Sequence, residues 1–152
     1  MDKHLFFDQL YALITDEPNM IANLANVSAF INEYFEGLNW VGFYLVDEES
    51  NRNELVLGPF QGKPACVRIP IGKGVCGTAA LRREVLRVDD VHQFIGHIAC
   101  DADSRSEIVL PIIVNDELIG VLDIDSPVFN RFTLQDEDIL KRIVDILIET
   151  CF

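Results

Sequence analysis

Apolar residues recur at helical spacing in two stretches near the start of the chain: Phe6, Leu10, Leu13 and Ile14, then Leu24, Val27, Ile31, Tyr34 and Phe35. Residues three and four apart share one face of a helix, so residues 1–36 read as two amphipathic helices. Asp16-Glu17-Pro18 separates them, with Pro18 placed for the first position of the second helix, and Gly37 ends that helix. The period then changes. Residues 40–46 (WVGFYLV) are aromatic and β-branched, as a strand requires, and residues 47–53 form a polar turn. A second strand is expected over 54–60 and a short third over 65–69. Pro70 to Gly74 turns into a short helix over 75–81, followed by a short strand over 85–88. The connection from Asp89 to Ser104 is long, and long connections of this kind are often functional. Residues 107–114 and 117–125 form a hairpin around Asn115-Asp116. Thr133, with Asp136 three residues on, caps a last helix over 133–150 that carries Ile139, Ile143, Ile146 and Leu147 on one face.

This order predicts an α+β domain: a central, mostly antiparallel sheet with helices packed on one face and a ligand pocket under loops on the other. The 152 residues form one unit, with N-terminal helices at 1–36, sheet and active-site loops at 40–127, and a C-terminal helix at 133–150. A hydrophobic share of 49% is enough for a full core. The 12 basic and 25 acidic residues give a net charge of −13, which repels phosphate backbones and anionic lipid. Neither nucleic acid nor a membrane surface is therefore an expected partner. The longest apolar run, near Ile108 to Val114, is too short to span a bilayer and is interrupted by Pro111. The first ten residues carry Asp2 and Asp8 and lack a signal-peptide core, so the expected location is cytoplasmic. Cysteines 66, 76, 100 and 151 are then expected as working thiols or buried core residues rather than structural bridges.

Asp123 and Asp125 are two apart on a strand and point the same way, while Leu122 and Ile124 point into the core. Alone, the pair is equally what two solvent-facing acids before Ser126-Pro127 would look like. Glu107 begins the neighbouring strand and can complete a cluster of three. Such a cluster binds a cation or an ammonium, and mutual repulsion lets one member keep a proton and act as a general acid. Cys76 lies in the first turn of the short helix after Gly72-Lys73-Gly74, where the helix terminus and Lys73 favour thiolate; it is also a fitting small buried residue. The same backbone N–H groups can hold a carboxylate. Cys66 sits on the short third strand. Cys100 sits in the long connection beside acids, three residues after His97. The set Cys66, Cys76, His97 and Cys100 has gaps of ten, twenty-one and three and no Cys-x-x-Cys knuckle, which argues against zinc. Trp40 and Tyr44 share a strand face, either as core or as the apolar wall of a pocket. His92 and His97 fit hydrogen-bonding roles in the loop as well as acid–base ones.

Residues 58–66 (GPFQGKPAC), 72–77 (GKGVCG), 89–92 (DDVH), 96–101 (GHIACD), 106–111 (SEIVLP) and 120–127 (GVLDIDSP) together resemble the free methionine-(R)-sulfoxide reductases, which are stand-alone GAF domains. The resemblance runs from about Trp40 to the last helix and includes the spacing of three thiols. It implies reduction of free L-methionine-(R)-sulfoxide to methionine, with Cys100 as nucleophile, Cys66 as principal resolving thiol and Cys76 able to form a disulfide with Cys100. It further implies that Glu107, Asp123 and Asp125 line the substrate pocket, that Trp40 and Tyr44 pack on the substrate methyl, and that thioredoxin is the reductant. No metal or cofactor is implied. A homodimer paired through the N-terminal helices is compatible with the resemblance. The chemistry agrees with the residue types. A sulfoxide sulfur accepts a thiolate once its oxygen is protonated, and the resulting sulfenic acid condenses with a second thiol. A ligand-sensing GAF module and a thiol redox sensor are the rival readings. Against the first, three spaced thiols are unnecessary for ligand sensing and no effector domain is expected.

Overall fold

The structure, a computed structural model, describes residues 2–98 and 102–152. Cys100, the expected nucleophile, lies outside the described residues. Two helices open the chain, α1 (Lys3–Ile14) and α2 (Met20–Tyr34). Asp2 caps α1 by accepting from the His4 and Leu5 N–H groups, and Asn19 caps α2 by accepting from Ala22. Pro18 therefore stands just before the cap, not at the first helical position: Asn19 offers a side-chain acceptor that proline lacks. Strand β1 (Trp40–Val46) and β2 (Glu54–Gly62) follow, then β3 (Arg68–Pro70), helix α3 (Gly74–Arg82) and β4 (Leu86–Val88). Among its described residues the long connection contains a short helical turn at Val91–Gln93, capped by Asp90. The hairpin β5 (Ser106–Val114) and β6 (Glu117–Ser126) and the helix α4 (Leu134–Cys151) complete the chain. Thr133 and Asp136 make the expected capping box.

The strands form one six-stranded sheet in the order β3-β2-β1-β6-β5-β4, and every pairing is antiparallel. The α+β architecture expected from the pattern is the one observed. Period-two alternation sorts each strand into two faces. Val41 and Phe43 of β1, Ile108, Leu110 and Ile112 of β5, and Leu122 and Ile124 of β6 join Leu10, Ile14, Leu24, Ile31, Leu140 and Ile143 in a core under α1, α2 and α4. Each such fully buried aliphatic side chain contributes about 1.5–3 kcal/mol. The short helix α3 lies on the other face, where Val75, Cys76, Ala79 and Ala80 pack with Trp40, Tyr44, Val109 and Val121.

The third strand differs from expectation. It spans Arg68–Pro70, and Cys66 lies in the segment leading to it. The cause is local: the Cys66 carbonyl accepts a hydrogen bond from the Tyr44 hydroxyl at 2.8 Å instead of from a strand partner. Strand pairing is taken up only from Val67, whose carbonyl accepts from Leu57 N–H at 2.9 Å. No helix among the described residues is long and apolar enough to cross a membrane.

Candidate active site

Register places the site. Trp40 pairs with Asp125, which pairs on its other side with Glu107; one row along, Gly42 pairs with Asp123 and Asp123 with Val109. Side chains opposite one another on an antiparallel pair stand about 4.5–5.5 Å apart, so the three acids form one cluster on the face opposite the helical core. They are buried: Glu107 is 6% exposed, Asp123 5% and Asp125 8%. The alternative of two solvent-facing acids is thereby excluded. They line a pocket together with Trp40, Tyr44, Lys73, Cys76, His97 and Ser104.

Burial drives the protonation of this cluster. Glu107 is pushed well above the usual carboxyl range by desolvation first, then by the charges of Asp123 and Asp125 and by hydrogen bonds with both. Asp123 is raised by desolvation as well, but hydrogen bonds from Glu107, Cys76 and Asp125 favour its ionised form. Both shifts favour a proton held within the cluster, with the stronger push on Glu107. Asp123 Oδ1 is buried and makes no hydrogen bond.

Cys76 differs from its expected chemistry. Its Sγ lies 3.9 Å from Glu107 Oε2, in a fully enclosed position. Desolvation and then the charges of Asp123, Glu107 and Asp125 push its thiol well up. The helix terminus and Lys73 were expected to do the opposite, but the thiol faces the acids across the pocket floor. Cys76 is a protonated thiol here. Cys66 is disulfide-bonded and half-buried, next to Ala65 of the pocket lining, while Cys76 and Cys151 are free. Of the candidate set of three thiols and one imidazole, Cys66 is disulfide-bonded and Cys100 lies outside the described residues. The group that does converge is Cys76, Glu107 and Asp123, whose donor atoms all lie within 4.8 Å of one another.

Trp40 and Tyr44 form the apolar wall, with ring centroids 5.8 Å apart, and Phe60 stacks on Trp40 from the far side at 5.2 Å. Both rings also use their polar ends: Trp40 Nε1 donates to Lys63 O at 3.1 Å and Tyr44 Oη to Cys66 O at 2.8 Å. They thus fasten the segment that carries Cys66 over the pocket. Desolvation raises the Tyr44 phenol far above its ordinary range, so it stays a neutral donor. Along the expected anion-binding turn, Gly72 N–H donates to Gly77 O and Lys73 N–H to Pro70 O, which leaves the first-turn donors from Gly74 onward. No side chain caps α3.

His92 is exposed and holds Asp90 Oδ1 at 2.9 Å, away from the acids. His97 lines the cavity, and burial followed by the charge of His92 lowers its pKa, so it is neutral. Two lining residues had no signal in the sequence. Ser104, 7% exposed, accepts from Asn39 Nδ2 at 3.0 Å, and Ile98 covers Gly74. Both belong to an irregular loop, where no period reveals which way a side chain faces.

The GAF domain model matches residues 9–148. The free methionine-R-sulfoxide reductase of Escherichia coli is 58% identical over 133 residues, covering 88% of this chain and 78% of the relative. The structure superposes on fRMsr of Staphylococcus aureus in its reduced form with a TM-score of 0.93 at 54% identity, covering 99% of this chain and 96% of that one. It superposes on free methionine-R-sulfoxide reductase of Neisseria meningitidis, solved in complex with its substrate, with a TM-score of 0.91 at 44% identity and coverage of 99% and 90%. A sheet whose pocket face carries buried acids, an aromatic wall and thiols, matched at this identity over nearly its full length, belongs to the GAF domain family and, within it, to the free methionine-R-sulfoxide reductases.

Proposed function

We propose that this chain reduces free L-methionine-(R)-sulfoxide to L-methionine through a thiol cycle. The observation that carries the reading is the buried Glu107–Asp123–Asp125 cluster facing an aromatic wall, with Cys66 tied above it by Tyr44. The substrate methyl packs against Trp40 and Tyr44. Asp123 and Asp125 take the α-ammonium, which a methionine within a polypeptide lacks. The first-turn N–H groups of α3 take the α-carboxylate. Glu107 delivers its proton to the sulfoxide oxygen as the Cys100 thiolate attacks sulfur.

Methionine then leaves, and the oxygen stays on Cys100 as a sulfenic acid. Cys66 condenses with it, forming the Cys66–Cys100 disulfide and releasing water. The disulfide-bonded state of Cys66 supports this role. Exchange with an external dithiol of the thioredoxin type restores both thiols and leaves that dithiol oxidised. Cys76, protonated on the pocket floor, is a reserve resolving thiol. The thiol cycle suits a reducing, cytoplasmic compartment.

The test is to incubate the reduced protein with racemic free methionine sulfoxide and resolve the remaining epimers. Loss of the R epimer alone is expected. Cys100→Ser abolishes even a single turnover, whereas Cys66→Ser keeps the first turnover and loses recycling. Turnover of neither epimer overturns the reading in favour of a sensor module.

A further inference from the structure

Cys76 takes no part in the first chemical step, yet its sulfur is pressed against two of the three acids. Cys76 Sγ and Glu107 Oε2 are 3.9 Å apart, and a third donor atom from Asp123 falls within the same 4.8 Å group. A tetrahedral ion with sulfur at about 2.3 Å and oxygen at about 2.1 Å sets an S···O edge of about 3.6 Å. The observed pair needs to close by only about 0.3 Å to meet it. Asp123 accepts hydrogen bonds from Glu107, Cys76 and Asp125, yet one of its carboxylate oxygens is left over. It is 5% exposed, and its Oδ1 is buried with no hydrogen-bond partner. A buried acceptor left unpaired costs free energy that a bound cation would recover. The three donors come from α3, β5 and β6, so no spacing in the sequence announces them. His97 and Ser104 line the same pocket.

We propose that the pocket floor is a binding site for a thiophilic divalent cation such as Zn²⁺ or Cd²⁺, held by Cys76, Glu107 and Asp123, and that this cation competes with the amino-acid substrate. One donor in three is sulfur, which selects against Mg²⁺ and Ca²⁺ with their all-oxygen shells. Competition follows because Glu107 and Asp123 cannot hold both a metal ion and the substrate's polar groups. Cation binding stands independently of the reductase reading; the competition rests on it. The consequence is a reversible block of the pocket under zinc excess, released when zinc is chelated.

The experiment uses the full chain in its Cys66 disulfide form with Cys151→Ser as background, so that Cys76 is the free thiol under test. CdCl₂ is titrated and the thiolate-to-cadmium charge-transfer absorbance is followed in the ultraviolet. One saturating equivalent per chain is expected. Cys76→Ser and Cys76→Ala lose the band, with melting curves recorded to show that each is folded. Asp123→Asn weakens binding by at least about tenfold. Excess MgCl₂ does not displace the cadmium, while free methionine sulfoxide raises its apparent dissociation constant in proportion to its concentration. A band that persists in folded Cys76→Ser, or no saturable band in the background chain, overturns the site. Cadmium binding that methionine sulfoxide does not disturb, in a chain that turns the sulfoxide over, overturns the competition. Cadmium binding in a chain that turns over no sulfoxide overturns the reductase reading and leaves the metal site standing.

Discussion

Gly77→Ala tests whether the position of α3 governs the chemistry. A Cβ at Gly77 would lie 2.4 Å from the Pro70 carbonyl oxygen, 1.0 Å inside the 3.4 Å at which ordinary contact begins. The obstacle is backbone, so the helix must move rather than a side chain. Gly72 N–H donates to Gly77 O at 2.8 Å, and that bond stretches or breaks with the movement. Two effects oppose each other. Alanine in place of glycine inside a helix is worth about 0.5–1 kcal/mol. Overpacking against an immobile group costs about 1–3 kcal/mol, and a 1.0 Å overlap with backbone belongs at the upper end. The clash wins by about 2 kcal/mol, or about 4–8 °C in melting temperature for a chain of this size. The displacement also shifts Cys76 and the first-turn N–H groups relative to Glu107. A misplacement of about 1 Å costs about 10²-fold in kcat/KM. Thermal denaturation and steady-state reduction of free methionine sulfoxide measure the two effects. A variant with native melting temperature and native activity refutes the claim that α3 is held to the pocket by this contact.

Three further outcomes follow from the same geometry. Glu107 and Asp123 have folded-state pKa values above their ordinary 4.5 and 3.8, so the folded chain binds protons that the unfolded chain has released. Their contribution to stability is complete below the ordinary carboxyl range and is lost as pH rises through the folded values. Glu107→Gln and Asp123→Asn therefore flatten the decline in melting temperature on raising pH, and a steeper decline in either contradicts the assignment. Tyr44→Phe removes the bond to Cys66 O but keeps the ring, costing about 1–2 kcal/mol and slowing disulfide formation more than it raises KM; an equal effect on both removes the fastening role. Thr133→Ala breaks the capping box of α4 and lowers stability by about 1 kcal/mol without changing KM, as denaturant unfolding alongside kinetics would show.

Period two made much of this site legible before the fold was known. Asp123 and Asp125 must share a face, Leu122 and Ile124 must take the other, and Trp40 and Tyr44 must lie together, because a strand has only two sides. What periodicity does not carry is the approach of one element to another. Cys76 reads as an activated thiol from its place at a helix start, yet α3 turns that thiol toward three buried acids, and desolvation plus their charge outweigh the helix terminus. Cys66 reads as strand within the short apolar run from Ala65 to Ile69, but a phenol from a strand across the sheet captures its carbonyl. Ser104 and Ile98 lie in irregular backbone, where facing direction is set by tertiary contacts alone. The family motifs supply a role for Cys100 that no local pattern supplies, since neighbouring acids oppose thiolate formation there.

The central claim is that the buried acids read the α-ammonium of a free amino acid. Its most direct test is the ratio of kcat/KM for free methionine-R-sulfoxide to that for the N-acetylated compound. Losing one partner of a buried ion pair costs about 3–5 kcal/mol, so the account predicts a preference of about 10²–10⁴-fold for the free amino acid. Equal turnover of the two compounds would contradict it.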